Sequence, residues 1–123
     1  MSVALNHTIV PSRDKRASAE FLADILGLTA APQWGPFVPV QTANGVTLDY
    51  MDADEVRGNH YCFIVSESEF DVIFERIRER GLDYWADPHH EKPGEINHLY
   101  GGRGVYFNDP NGHNMEVITQ PYA

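Results

Sequence analysis

Gly104-Val105-Tyr106-Phe107-Asn108-Asp109-Pro110-Asn111-Gly112-His113-Asn114-Met115-Glu116 is the stretch on which the reading of this 123-residue chain turns. Gly104–Asn108 reads as a strand, rich in aromatic and β-branched side chains. Asp109-Pro110-Asn111-Gly112 then reads as a turn, because Pro fixes φ and Gly reaches the positive φ that a tight reversal needs. Asn114–Thr119 resumes as a strand. Alternation along it places Glu116 on the face opposite Met115 and Val117. The stretch is therefore a hairpin that carries a carboxylate on its less apolar side. His113 belongs to the turn and reads as structural, not as a ligand.

Working outward from this hairpin, the chain shows one pattern used twice. The first half opens with Leu5-Asn6-His7-Thr8-Ile9-Val10, a strand ended by Pro11. Ser12 or Asp14 caps a helix to about Leu26, with Ala17, Phe21 and Ile25 on its apolar face. Gly27 ends it. The second half opens with His60-Tyr61-Cys62-Phe63-Ile64-Val65, again strand-like. Ser66-Glu67-Ser68-Glu69 is a capping box, and Phe70, Ile73, Phe74 and Ile77 define the helix that follows. Gly81 ends this one. His7 and His60 are 53 residues apart, and Gly27 and Gly81 are 54 apart. Further strands are predicted at Phe37–Thr42 and Val46–Met51 around Asn44-Gly45, and at Leu82–Trp85 before the hairpin. Each half thus reads as strand, helix, then three strands. Asp49 follows Gly45 by four residues as Glu116 follows Gly112. The expected organisation is a single domain, residues 1–123, of two modules, about 1–57 and about 58–123. The segment 86–103, rich in Pro, Gly and His, has no counterpart in the first module and reads as a loop over an open face.

Composition sets limits on function. A hydrophobic fraction of 42% and an aromatic fraction of 11% describe a globular chain. No run approaches the ~20 apolar residues that cross a bilayer, so no membrane partner is expected. The net charge of −9 argues against nucleic acid, whose phosphates require Lys and Arg. It suits a cation, although acidic charge also serves solubility. A single cysteine, Cys62, and no recognisable signal peptide point to a cytoplasmic protein.

His7, His60 and Glu116 stand out as a set. Each lies in a predicted strand, and the two histidines occupy equivalent places in the repeat. Were the modules related by a pseudo-twofold axis, two imidazoles and a carboxylate would converge and leave open positions for substrate. Leu5-Asn6-His7-Thr8, His60-Tyr61-Cys62-Phe63-Ile64-Val65 and the hairpin string resemble the glyoxalase / bleomycin-resistance / extradiol-dioxygenase superfamily, the vicinal oxygen chelate proteins. The resemblance covers nearly the whole chain. It implies an α+β fold of two βαβββ modules forming a half-open, eight-stranded barrel. It also implies a divalent metal (Fe, Mn, Ni or Zn) held by His7, His60 and Glu116, and a small-molecule substrate chelated through adjacent oxygens.

The same resemblance implies a homodimer, with His7 supplied either by the opposite subunit or by the same chain. It leaves the reaction open among lyase, isomerase, dioxygenase and thiol transferase. The alternative is a bleomycin-resistance-like protein that sequesters a drug or metabolite without catalysis. In the glyoxalase branch an acidic residue of the first module is a fourth ligand; Asp49 occupies that place, and a hydrogen-bonding role behind the ligands or a role facing the substrate is preferred for it. His98 and Arg103 are the candidate catalytic groups, the one for proton transfer and the other for binding a carboxylate or enolate. Trp34, Phe37, Tyr100 and Tyr106 are candidates to line the substrate site. His89 and His90 read as exposed.

Overall fold

The turn that organises the second half is tied together by one side chain. In the computed structural model, which describes residues 2–122, Asp109 Oδ1 accepts from the backbone N–H groups of Asn111 (2.8 Å) and His113 (2.9 Å). Its Oδ2 accepts from the Asn111 amide at 3.1 Å. Gly112, at φ 85°, takes the left-handed conformation that closes the reversal. His113 is fully buried; its Nδ1 accepts from the Asn59 N–H at 2.9 Å, and its ring meets Tyr61 edge-on. The motif is therefore structural, and its product is a register: Tyr106 pairs with Glu116. A slip of one residue would turn Glu116 to the other face of the sheet.

The chain divides into two compact units, residues 1–57 and 58–123. In the second, strand β4 (His60–Ile64) leads into helix α2 (Glu67–Glu79), then β5 (Tyr84–Trp85), β6 (Gly104–Asn108) and β7 (Asn114–Ile118). Their order in the sheet is β4-β7-β6-β5, with β4 and β7 parallel. Helix α2 starts with the full capping box: Glu69 N–H donates to Ser66 Oγ at 3.1 Å, and Ser66 N–H donates to Glu69 Oε1 at 2.9 Å. Phe70, Ile73 and Ile77 of the helix and Val105, Phe107, Met115 and Val117 of the sheet are among the buried apolar residues of this unit. Burial of one such side chain contributes roughly 1.5–3 kcal/mol, so this face of the sheet fixes the strand orientation.

The first unit repeats the scheme with β1 (His7–Ser12), α1 (Lys15–Leu26), β2 (Phe37–Gln41) and β3 (Thr47–Asp52) in the order β1-β3-β2. Asp14, not Ser12, caps α1, accepting from Ala17 N–H at 3.0 Å. Gly27 ends the helix at φ 74°. The core holds Val10, Leu22, Ile25, Val38, Val40 and Tyr50. The counterpart of β5 is reduced to an isolated bridge between Ala30 and Val40. Pro32, Gly35 and Pro36 follow directly, and two prolines without N–H donors cannot sustain a ladder there. Among the described residues the named strands accordingly number three in this unit and four in the other.

Candidate metal centre

The register of the second unit sets a row of side chains across one face of its sheet. Cys62 pairs with Glu116, Glu116 with Tyr106, and Tyr106 with Trp85, so all four point the same way. His60 and Asn114 form the neighbouring pair on that face. Glu116 lies at the centre, only 1% exposed. His60 Nε2 is 2.9 Å from Glu116 Oε1. The Tyr122 hydroxyl donates to Glu116 Oε2 and lies 3.2 Å from the Tyr106 hydroxyl. The Tyr106 ring is tilted against His60 at 5.9 Å.

A buried carboxylate is costly unless its charge is balanced. Among the described residues the ion-pair partner of Glu116 is His60, with no Lys or Arg beside it. Burial pushes the Tyr106 hydroxyl well above the usual tyrosine range, and its bonds with Tyr122 and Glu116 push the same way. Tyr122 is pushed up to about 12, first by burial and then by its bond to Glu116. Both phenols are therefore protonated donors at neutral pH. Partial loss of water around the sulfur, and then the Glu116 charge, push the Cys62 thiol up to about 12. Without a metal beside it, the Cys62 sulfur is therefore a protonated thiol at neutral pH. One imidazole nitrogen and one carboxylate meeting without a Lys or Arg form a donor set suited to a divalent cation. Within each unit, among the described residues, no further His, Cys, Asp or Glu expands a pair into a cluster of three.

In the first unit His7 opens β1 as an exposed residue, and its Nδ1 is 2.8 Å from Asn6 Oδ1. The carbonyl acceptor makes Nδ1 the protonated nitrogen and leaves Nε2 with its lone pair, the form a metal-ligating histidine takes. Asp49 pairs with Ile9 and so shares the face of His7. Trp34, 71% exposed, stacks on Phe37 at 6.5 Å, and their main chains exchange hydrogen bonds of 2.8 and 3.0 Å.

The loop candidates divide. Tyr100, at φ 56°, packs its ring 5.1 Å from Tyr122 and so adjoins the Glu116 cluster. His98 is exposed at the start of the 3-10 turn Leu99–Gly101. Arg103 is engaged elsewhere: Nε donates to Glu67 at 2.8 Å, Nη1 lies 2.8 Å from Asp71, and the guanidinium lies 4.5 Å from the Phe70 ring centre. It fastens β6 to the start of α2. Two residues of the Glu116 face escaped the sequence reading. Tyr122 lies beyond any strand pattern, and its contact with Glu116 is visible only in three dimensions. His90, expected to be exposed, is half-buried with its ring stacked on Trp85 at 3.8 Å.

This duplicated architecture, with a His–Glu pair on the face of its second sheet, matches a described family. The model of the Glyoxalase/Bleomycin resistance protein/Dioxygenase superfamily matches residues 4–117, and the chain belongs to that superfamily. Among solved structures it is similar to Oxidase ChaP-H2, at 64% identity and a TM-score of 0.98, covering 100% of this chain and 98% of that one. It is similar also to Oxidase ChaP-H1, at 60% identity and a TM-score of 0.97, covering 99% of each. Glutathione transferase FosA from Serratia marcescens is 28% identical over 124 residues, 95% of this chain and 81% of that protein. These relatives are enzymes, and the chain is an enzyme of the vicinal oxygen chelate type. Among the described residues no helix is long and apolar enough to cross a membrane.

Proposed function

We propose that this chain is an oxidase acting on a small organic molecule held through two adjacent oxygens at a divalent metal, with His60, Glu116 and His7 as the protein ligands. The observation that carries the reading is the approach of His60 Nε2 to 2.9 Å from a buried Glu116 carboxylate. The 60–64% identity with two proteins named oxidases supports the reaction class.

When bound, the metal would supply Lewis acidity and, for a redox-active ion, electron transfer to an oxidant. The protein's own part follows from its geometry. Tyr122 holds one oxygen of Glu116 and leaves the other toward His60, so the carboxylate is oriented in advance. Tyr106 and Tyr122, both protonated, present hydroxyl donors beside the carboxylate, where they can bind a substrate oxygen. Asn6 holds His7 in the tautomer that offers Nε2. Asp49, on the face of His7, is assigned to the substrate, and Trp34 and Phe37 to a wall of the site.

We further propose that the active form is a homodimer in which His7 of one chain completes the pair His60 and Glu116 of the other. β1 and β4 are both edge strands, and beside their histidines they expose Ile9 (45%) and Ile64 (59%). Such edges need a partner to cover them. The test is metal content: purified protein should carry one Fe, Mn, Ni or Zn ion per chain and lose it in His60→Ala. Metal-free protein that binds a ligand tightly, with no oxidation, would instead favour sequestration.

A further inference from the structure

Resting on the metal-centre reading above, we propose that Nδ1 of His90 is a hydrogen-bond acceptor for a hydroxyl of the ligand bound on the Glu116 face, with the Trp85–His90 pair as a flat wall beside it. The neighbours of His90 fix its tautomer. Asn114 Nδ2 donates to the Pro88 carbonyl at 3.1 Å, so Asn114 Oδ1 is the atom turned to His90. That oxygen can only accept, and His90 Nε2, 3.0 Å away, must carry the proton. A neutral imidazole has one N–H, so Nδ1 keeps its lone pair, and among the described residues it has no hydrogen-bond partner.

Placement follows from register. Trp85 shares the face of Glu116 through Tyr106, and Asn114 pairs with His60 two residues before Glu116. Both anchors of His90 therefore stand on the metal-binding face. The imidazole lies over the indole at 3.8 Å with 6° between the planes.

The backbone indicates that this position is imposed. His90 has φ 60°, in the left-handed region that few non-glycine residues occupy. The surrounding loop is tied down: Asp87 accepts from the N–H groups of Glu91 (2.9 Å) and Lys92 (2.8 Å). The Asn97 amide donates to the Ala86 carbonyl at 2.8 Å, and Gly94 N–H donates to the Tyr84 carbonyl at 2.9 Å. A loop needing only a turn here would be served at lower cost by Gly or Asn. A histidine with one nitrogen tied down and the other open is suited to receive a proton-bearing group.

The test uses 4-nitrocatechol, a chromophore with two adjacent oxygens, on zinc-loaded protein. In His90→Phe the ring can still stack on Trp85 but offers neither an N–H nor a lone pair. We expect 4-nitrocatechol to bind this variant about tenfold more weakly, with metal affinity unchanged. Equal binding by wild type and H90F overturns this inference alone. A wild-type protein that takes up no 4-nitrocatechol overturns the metal-centre reading together with it. Independently of any variant or metal, nitrogen-15 NMR of metal-free wild type should find His90 protonated at Nε2. Protonation at Nδ1 instead would overturn the inference.

Discussion

Glu116 and His60 are 56 residues apart in the chain and 2.9 Å apart in space, and the parallel pairing of β4 with β7 makes that contact possible. Register places Cys62, not His60, opposite Glu116, so the imidazole reaches diagonally to the carboxylate. On the proposed reading, a divalent cation would take the place of the proton shared by these two groups.

Glu116→Gln keeps the shape of the side chain and removes its charge. Divalent metal binding, measured by calorimetry, should weaken by at least about a hundredfold, given that even residues behind the ligands cost 10–100-fold. The far-UV circular dichroism should be unchanged, because Glu116 lies off the apolar face that builds the core.

A site shared between chains has a distinctive signature on mixing. His7→Ala and Glu116→Ala chains each bind no metal alone. After co-refolding, each mixed twofold dimer would hold one intact site, giving roughly a quarter of wild-type metal capacity in a statistical mixture. A mixture that still binds none places all three ligands within one chain.

Arg103 was expected to meet substrate, and its fork is instead filled by Glu67 and Asp71 over Phe70. Arg103→Ala should therefore cost stability, about 1 kcal/mol, since the pairs are partly exposed and screened. Urea denaturation at fixed protein concentration measures this. Affinity for 4-nitrocatechol should stay within about twofold of wild type; a larger loss would return Arg103 to the substrate site.

The capping box gives a second stability test. Ser66→Ala should cost about 1 kcal/mol by urea denaturation. The Ser66 N–H holds the Glu69 carboxyl below the usual carboxylate range, so folding favours its ionised form. That contribution is present above about pH 4.3, the ordinary Glu value, and disappears as pH falls through the lower value of the folded state. Glu69→Gln should flatten this part of the acid limb of the stability curve.

What was legible in the sequence was local or periodic. The capping box, the helix ends at Gly27 and Gly81, and the Asp109–Gly112 turn announce themselves within a few residues. Strand alternation sufficed to separate Glu116 from Met115 and Val117. The missed features depend on contacts between distant segments. Arg103 carries no local sign that α2 will supply its anions. His90 looks like one of several loop histidines until Trp85 and Asn114 are brought beneath it. Tyr122 follows the last strand, and only folding brings its hydroxyl onto Glu116. The expected strand after α1 shrank to the Ala30–Val40 bridge because two nearby prolines remove donors.

A crystal structure of the metal-loaded protein, with anomalous scattering recorded at the metal edge, bears most directly on the proposal. The expected result is one peak about 2.0–2.2 Å from His60 Nε2, a Glu116 oxygen and a His7 Nε2, from either chain. A fully loaded protein whose metal peak touches neither His60 nor Glu116 would contradict it.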